Sequence, residues 1–293
     1  MTLTLSPISD SSPEFGAEVG GIDLRETTSL NDVALLEAGM DKFAVLIFRQ
    51  QFIEDDDQLA FTRNFGSLLN GANMTKTDHL RLNPAFADVS NLDTNNNVLE
   101  RNDRRRAFSL GNRLWHSDAS FRATPARYSL LSGRVVPPSG GNTEFADMRA
   151  AYESLTNDEK LEVENLVCLH SLIFSRSRLG FNDYTNEERS AMEPVRQPLL
   201  RFHPVTGRKS LFLSAHVGGI DDWLTPEALI FLSDLTEHAT QRRFVYSHEW
   251  QTGDLVMWDN RQTMHRSRRF DDLSFTRDMR RTTTIDDISQ NHF

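Results

Sequence analysis

The 293-residue chain predicts a mixed α/β protein whose core is mainly β and which forms one domain. Buried-strand patterns stand towards both ends, in Ala44-Val45-Leu46-Ile47-Phe48 and again in Leu255-Val256-Met257-Trp258, with helical patterns between them. No internal repeat, low-complexity linker or composition boundary divides the chain. Distant halves are therefore expected to close one sheet structure, because an apolar strand needs a partner to bury its face.

Taken in order, residues 31–42 carry Val33, Leu36 and Met40 at helical spacing and lead into the strand 44–48. Asp55-Asp56-Asp57 puts negative charge at the start of a second helix with Leu59, Phe61 and Phe65, which Gly66 ends. Residues 87–91 read as a strand. Residues 93–109 are polar and without periodicity, the pattern of a functional lid or a disordered segment, and their position just before His116 favours a lid. Residues 128–131 and 143–145 read as two strands of a hairpin about the turn Pro137-Pro138-Ser139-Gly140-Gly141. Thr156 and Glu159 form a capping box, opening a helix with Leu161, Leu166 and Val167 on its apolar side. Residues 199–214 read as a hairpin around Thr206-Gly207, and Thr225-Pro226 opens a helix that turns Leu229, Leu232 and Leu235 inward. Phe244, Tyr246, His248 and Trp250 alternate along a strand, and residues 277–285 alternate again, with a flexible tail expected at 287–293.

Composition narrows the function classes. A net charge of −10 argues against a general nucleic-acid binder, and no apolar run approaches the ~20 residues that span a bilayer. Residues 1–7 lack the basic start and apolar run of a secretory signal, and the single cysteine, Cys168, permits no internal disulfide, so a cytoplasmic protein is expected. Cys168 lies in an apolar run and reads as packing. Arginines gather at 101–106 and 261–281; a local basic site within an acidic chain suits a small anionic ligand, whereas Arg104, Arg105 and Arg106 read as solvated loop charge.

The chemistry centres on His116-Ser117-Asp118 and a distant partner, His265. On an extended segment His116 and Asp118 share one side. A third imidazole from another strand would complete a two-histidine, one-carboxylate set that leaves the opposite face of a metal open. Such ligands suit zinc or Fe(II). A zinc hydrolase would also need a general base aimed at the bound water, and no His-Glu-x-x-His signature supplies one. Arg277 and Arg281 instead share a strand face about 13 Å apart, at ~3.3 Å per residue, which suits two anions at opposite ends of a cavity. Arg280 alternates to the other face and reads as an ion-pairing residue.

His116-Ser117-Asp118, Thr143 at 27 positions beyond His116, His265 and Arg277 together resemble the 2-oxoglutarate-dependent dioxygenases of the taurine dioxygenase (TauD/TfdA) superfamily. The likeness runs over nearly the whole chain and is nearest to the 2,4-dichlorophenoxyacetate dioxygenases in residues 114–118, 136–145, 147–152 and 253–261. It implies a double-stranded β-helix (jelly roll) with flanking helices, assembled as a homo-oligomer. It implies Fe(II) on His116, Asp118 and His265, 2-oxoglutarate held at its distal carboxylate by Arg277 and Thr143, and O2 as the oxidant. Arg281 would face the anionic group of a small aromatic acid. Lys76 would assist that anion or, as the alternative, stand as an exposed loop lysine. Ser117, between two ligands, is carried as a further substrate-side candidate, although strand alternation turns it from the metal. Phe174 and Arg178 resemble a cavity wall, and Asp259, Asn260 and Arg261 a turn near the iron. The implied reaction couples decarboxylation of 2-oxoglutarate to hydroxylation beside an aryl ether oxygen, releasing a phenol and glyoxylate. The same machinery acting on taurine, another sulfonate or another aromatic acid is the alternative, and a non-catalytic jelly-roll binder a remote one.

Overall fold

The computed structural model describes residues 2–70 and 80–286. Its largest sheet has seven strands, ordered Thr4–Pro7, Ala17–Gly20, Val45–Phe48, Leu255–Asp259, Ala126–Val135, Asp278–Ile285 and Ala87–Asp88. Strands from both halves of the chain thus alternate in one sheet, as the apolar runs predict. A three-stranded sheet orders Val245–His248, Thr143–Asp147 and Thr263–Ser267.

Period-two alternation decides what each face does. Trp258 pairs Ser129 and Val45, Val256 pairs Leu131 and Ile47, and Arg281 pairs Leu131. The apolar members of this face meet Phe145 of the smaller sheet in one cluster with Met279 and Trp250. The alternate residues Leu46, Phe48, Leu130 and Met257 pack on the helix Leu30–Phe43 through Val33, Leu36 and Met40. Behind the smaller sheet, Ala146 and Met264 join Leu232 and Leu235 of the helix Thr225–Ala239. The result is a sheet-dominated mixed α/β fold with two facing sheets and helices outside them. No helix among the described residues is long and apolar enough to cross a membrane.

Several local expectations need correction. Ala126–Val135 and Thr143–Asp147 do not form a hairpin: the Pro/Gly turn carries the chain from one sheet to the other, with Gly140 and Gly141 both at positive φ. The capping box at Thr156 opens the helix Asn157–Val163, but Leu161 is 69% exposed and Val163 is the buried residue. Residues 93–109 are not structureless, since Asp103 caps a short helix, Arg104–Ser109. Their arginines are ion-paired: Arg104 with Asp183 and Glu188, Arg105 with Asp103, Arg106 with Asp272. Arg280 pairs Asp55 and Asp278 on the outer face, as alternation requires, and Cys168 is buried packing. The tail at 287–293 lies outside the described residues.

Candidate active site

His116 and His265 form an isolated antiparallel bridge in which each N–H donates to the other's carbonyl, at 2.9 and 2.8 Å. Their rings consequently stand side by side, with centroids 4.2 Å apart. Asp118 arrives from a turn in which Ala119 takes a positive φ of 52°. Its Oδ1 is 3.9 Å from His116 Nε2 and its Oδ2 is 3.7 Å from His265 Nε2. One donor atom from each of the three buried residues lies within 4.8 Å of the others. Convergence comes from one bridge and a left-handed turn rather than from a continuous strand.

Surrounding contacts orient each donor. The Nδ1–H of His116 donates to the Leu114 carbonyl at 2.8 Å, which leaves the Nε2 lone pair free for a metal. Ser129 Oγ donates to Asp118 Oδ2 at 2.7 Å, Arg281 grips Oδ1, and the Asp118 backbone N–H donates to Asn260 Oδ1 at 3.0 Å. Asn260 is fixed in turn by Trp258 Nε1 at 3.1 Å and by its own donation to Ser129 Oγ at 3.0 Å. Its neighbours Asp259 and Arg261 pair with each other at 2.7 Å. The turn 259–261 therefore steadies Asp118 from behind.

Burial pushes the His116 pKa down to about 4 against the pull of Asp118, and pushes His265 well below the ordinary histidine value for the same reason. Burial pushes Asp118 upward, but Arg281 and the two imidazoles outweigh it and hold the carboxyl below its usual range. At neutral pH the site presents two neutral imidazoles and one carboxylate, a donor set that fits a divalent ion bound on one side. A pH dependence follows for the metal-free protein. The unfolded chain binds a proton near pH 6.5, whereas folded His116 does so only near 4, so its stabilising contribution is complete above 6.5 and lost as pH falls through that window. The expected loss is about 3 kcal/mol for this residue, to be read from denaturant unfolding at pH 7 and pH 4; stability that is level across the window would contradict it.

A narrow lobe beside the triad is lined by Thr143, His265, Ser267, Arg277 and Arg281. Register explains part of the grouping, because Thr143 pairs Ser267 and Phe145 pairs His265, so all four side chains lie on one face. Thr143 Oγ1 accepts from Trp250 Nε1 at 3.0 Å, which leaves the hydroxyl proton to be donated elsewhere. Arg277 is 5% exposed and donates to the Val89 carbonyl at 3.1 Å, and no carboxylate among the described residues pairs with it. Burial alone pushes its pKa down to about 10, so it remains a cation at neutral pH. A buried, uncompensated guanidinium invites an anion.

On the other side of His116 and Asp118 lies a cavity of about 240 Å³, walled by Leu92, Leu99, Phe108, Phe121 and Leu172 and reached by Arg281. The segment 93–109 supplies Thr94, Leu99, Arg104, Arg105, Phe108 and Ser109 to this lining. Among the polar lining residues that the sequence pattern does not single out are His216 and Arg176. Phe174 instead packs under Gly218, and Arg178 does not line the cavity. The helical run Leu172-Ile173-Phe174-Ser175-Arg176 carries the available signal, since Leu172 and Arg176 stand four residues apart on one helix face. Lys76 lies outside the described residues. Ser117 is a correction: its hydroxyl donates to the Thr263 carbonyl at 3.0 Å, away from the cavity, as alternation dictates. Ser117→Ala should therefore cost roughly 1 kcal/mol of stability, measured by denaturant unfolding, with turnover retained; loss of substrate affinity at unchanged stability would restore the residue to the pocket.

Three candidate metal donors, a narrow lobe holding the buried guanidinium of Arg277 and a largely apolar cavity therefore stand together between the two sheets. The chain belongs to the taurine catabolism dioxygenase TauD, TfdA family, whose model matches residues 7–283. It is 48% identical over 276 residues to the alpha-ketoglutarate-dependent 2,4-dichlorophenoxyacetate dioxygenase of Cupriavidus pinatubonensis, covering 94% of this chain and 96% of that protein. It is 34% identical over 280 residues to the (S)-phenoxypropionate/alpha-ketoglutarate-dioxygenase of Sphingobium herbicidovorans, covering 91% and 92%. The crystal structure of AAD-2 in complex with Mn(II) and N-oxalylglycine superposes with a TM-score of 0.89 at 49% identity over 97% of each chain.

Proposed function

We propose that the protein is an Fe(II)- and 2-oxoglutarate-dependent dioxygenase that hydroxylates the carbon beside the ether oxygen of aryloxyalkanoates such as 2,4-dichlorophenoxyacetate. The observation that carries this reading is the pairing of the His116, Asp118 and His265 donors with a buried cation, Arg277, that has no counter-ion among the described residues. We read residues 1–293 as one catalytic domain, cytoplasmic, with the two facing sheets as the walls of a jelly roll. Its small-molecule partner is an anionic aromatic acid.

His116, Asp118 and His265 would hold the iron. When bound, Fe(II) with 2-oxoglutarate and O2 supplies the oxidising power for hydroxylation, while the cosubstrate leaves as succinate and CO2. The chain's own residues provide orientation. Arg277 and the Thr143 hydroxyl grip the distal carboxylate of 2-oxoglutarate by charge-assisted hydrogen bonds, fixing which way its keto acid end points. Arg281, anchored beside Asp118, faces the substrate carboxylate, and the apolar wall around Phe108, Phe121 and Leu172 seats the ring and excludes water. Hydroxylation beside the ether oxygen makes a hemiacetal, which separates into a phenol and glyoxylate.

The test is anaerobic addition of Fe(II) and 2-oxoglutarate followed by visible absorption, then succinate release in air with aryloxyacetates and with sulfonates. A metal-to-cosubstrate band and release triggered by aryloxyacetates support the reading. Release triggered by sulfonates alone would reject the substrate assignment, and absence of the band would reject the site.

A further inference from the structure

Five arginines line the substrate cavity, and four of them are paired with carboxylates. Arg81 pairs Asp88 and Asp278, Arg104 pairs Asp183 and Glu188, Arg105 pairs Asp103, and Arg281 pairs Asp118. Arg176 is the exception among the described residues. It is 6% exposed, it donates to neutral oxygens of Ser175 at 3.2 Å and Asn112 at 3.4 Å, and its Nε has no partner. Burial pushes its pKa down to about 10, so the group stays cationic near neutral pH. Its guanidinium lies 4.6 Å from the Phe108 ring centre and against Gly111, where a methyl group would overlap it. Ser175 Oγ is also 2.9 Å from His216 Nδ1, and the His216 ring is 6.0 Å from that of His116. A hydroxyl and an imidazole thus stand between Arg176 and the metal face, while Arg281 touches a metal-side carboxylate directly.

We propose that Arg176 is a second anion-recognition point of the cavity, one that selects aromatic acids carrying a further anionic group on the ring. The inference rests on the reading of this cavity as an aryloxyacid site, with the substrate's first carboxylate on Arg281. A monocarboxylate seated on Arg281 leaves Arg176, at the other end of the cavity, without an anion. A ring carboxylate at that end turns a desolvated cation, costly when empty, into a charged hydrogen-bonded pair.

The experiment compares 4-carboxyphenoxyacetate with phenoxyacetate on the loaded enzyme, by kcat/KM and by calorimetric Kd without O2. Arg176→Met removes the charge; Gly111→Ala keeps the charge but displaces it. The ratio favouring the ring carboxylate should fall roughly 10- to 100-fold in both variants, the range of a charged hydrogen bond. An unchanged ratio in both variants, or an equal fall for both compounds, overturns the proposal and leaves Arg176 a structural cation. Should neither compound be turned over by the unsubstituted protein, the reaction assignment fails by itself, and the Kd ratios still decide the role of Arg176.

Discussion

Replacing Asp118 by alanine should abolish turnover, lowering it by at least about a thousandfold, equivalent to ~4 kcal/mol. The carboxylate is the only anionic donor of the triad, so its loss removes a ligand and the charge that offsets a divalent ion. It also leaves the Arg281 guanidinium facing two buried imidazoles with no counter-ion, and the Ser129 hydroxyl without its acceptor. Breaking a buried pair from one side costs about 3 kcal/mol. His265→Ala, by contrast, should lose the metal without that electrostatic penalty, because the His265 Nδ1 has no partner to abandon. Anaerobic Fe(II) titration and denaturant unfolding of both variants separate the two effects. Retention of the visible band in either variant would remove that residue from the ligand set.

Arg277→Met should weaken 2-oxoglutarate binding by about 100-fold or more, since two charge-assisted hydrogen bonds to a carboxylate are worth roughly 3 kcal/mol. The same variant should make the ligand-free protein more stable. The sign follows from burial: the wild-type cation is desolvated without compensation, and methionine occupies similar space with no charge to bury. Calorimetric titration with 2-oxoglutarate and denaturant unfolding of the ligand-free variant give the two readouts. Weakened binding together with reduced stability would mark Arg277 as a structural residue rather than a cosubstrate anchor.

Much of this organisation is local and so is legible in the sequence. His116 and Asp118 stand two residues apart, Arg281 lies on the strand Asp278–Ile285 with Arg277 one residue before it, and alternation sends Arg280 to the outer face where it pairs Asp55. The helix start at Thr156 is equally legible, because its cap with Glu159 is satisfied within a single turn, whereas Thr225 lies inside its helix and Leu224 stands at the cap position. The segments 128–131 and 143–145 do form strands, but a hairpin is the wrong connection for them. Sequence proximity favours a hairpin, and only the burial of two opposed faces sends the second strand to another sheet. Leu161 is misassigned because apolar character does not reveal which turn of a short helix meets the core.

By itself the sequence determined most strand segments and the candidate donor residues, all properties of residues and their near neighbours. Tertiary structure alone decided which cations would be left without a carboxylate. Arg104 is neutralised by Asp183, 79 residues further along the chain, whereas Arg176 and Arg277 meet no carboxylate among the described residues. Charge compensation depends on distances between residues far apart in the chain, and those distances exist only once the sheets have closed.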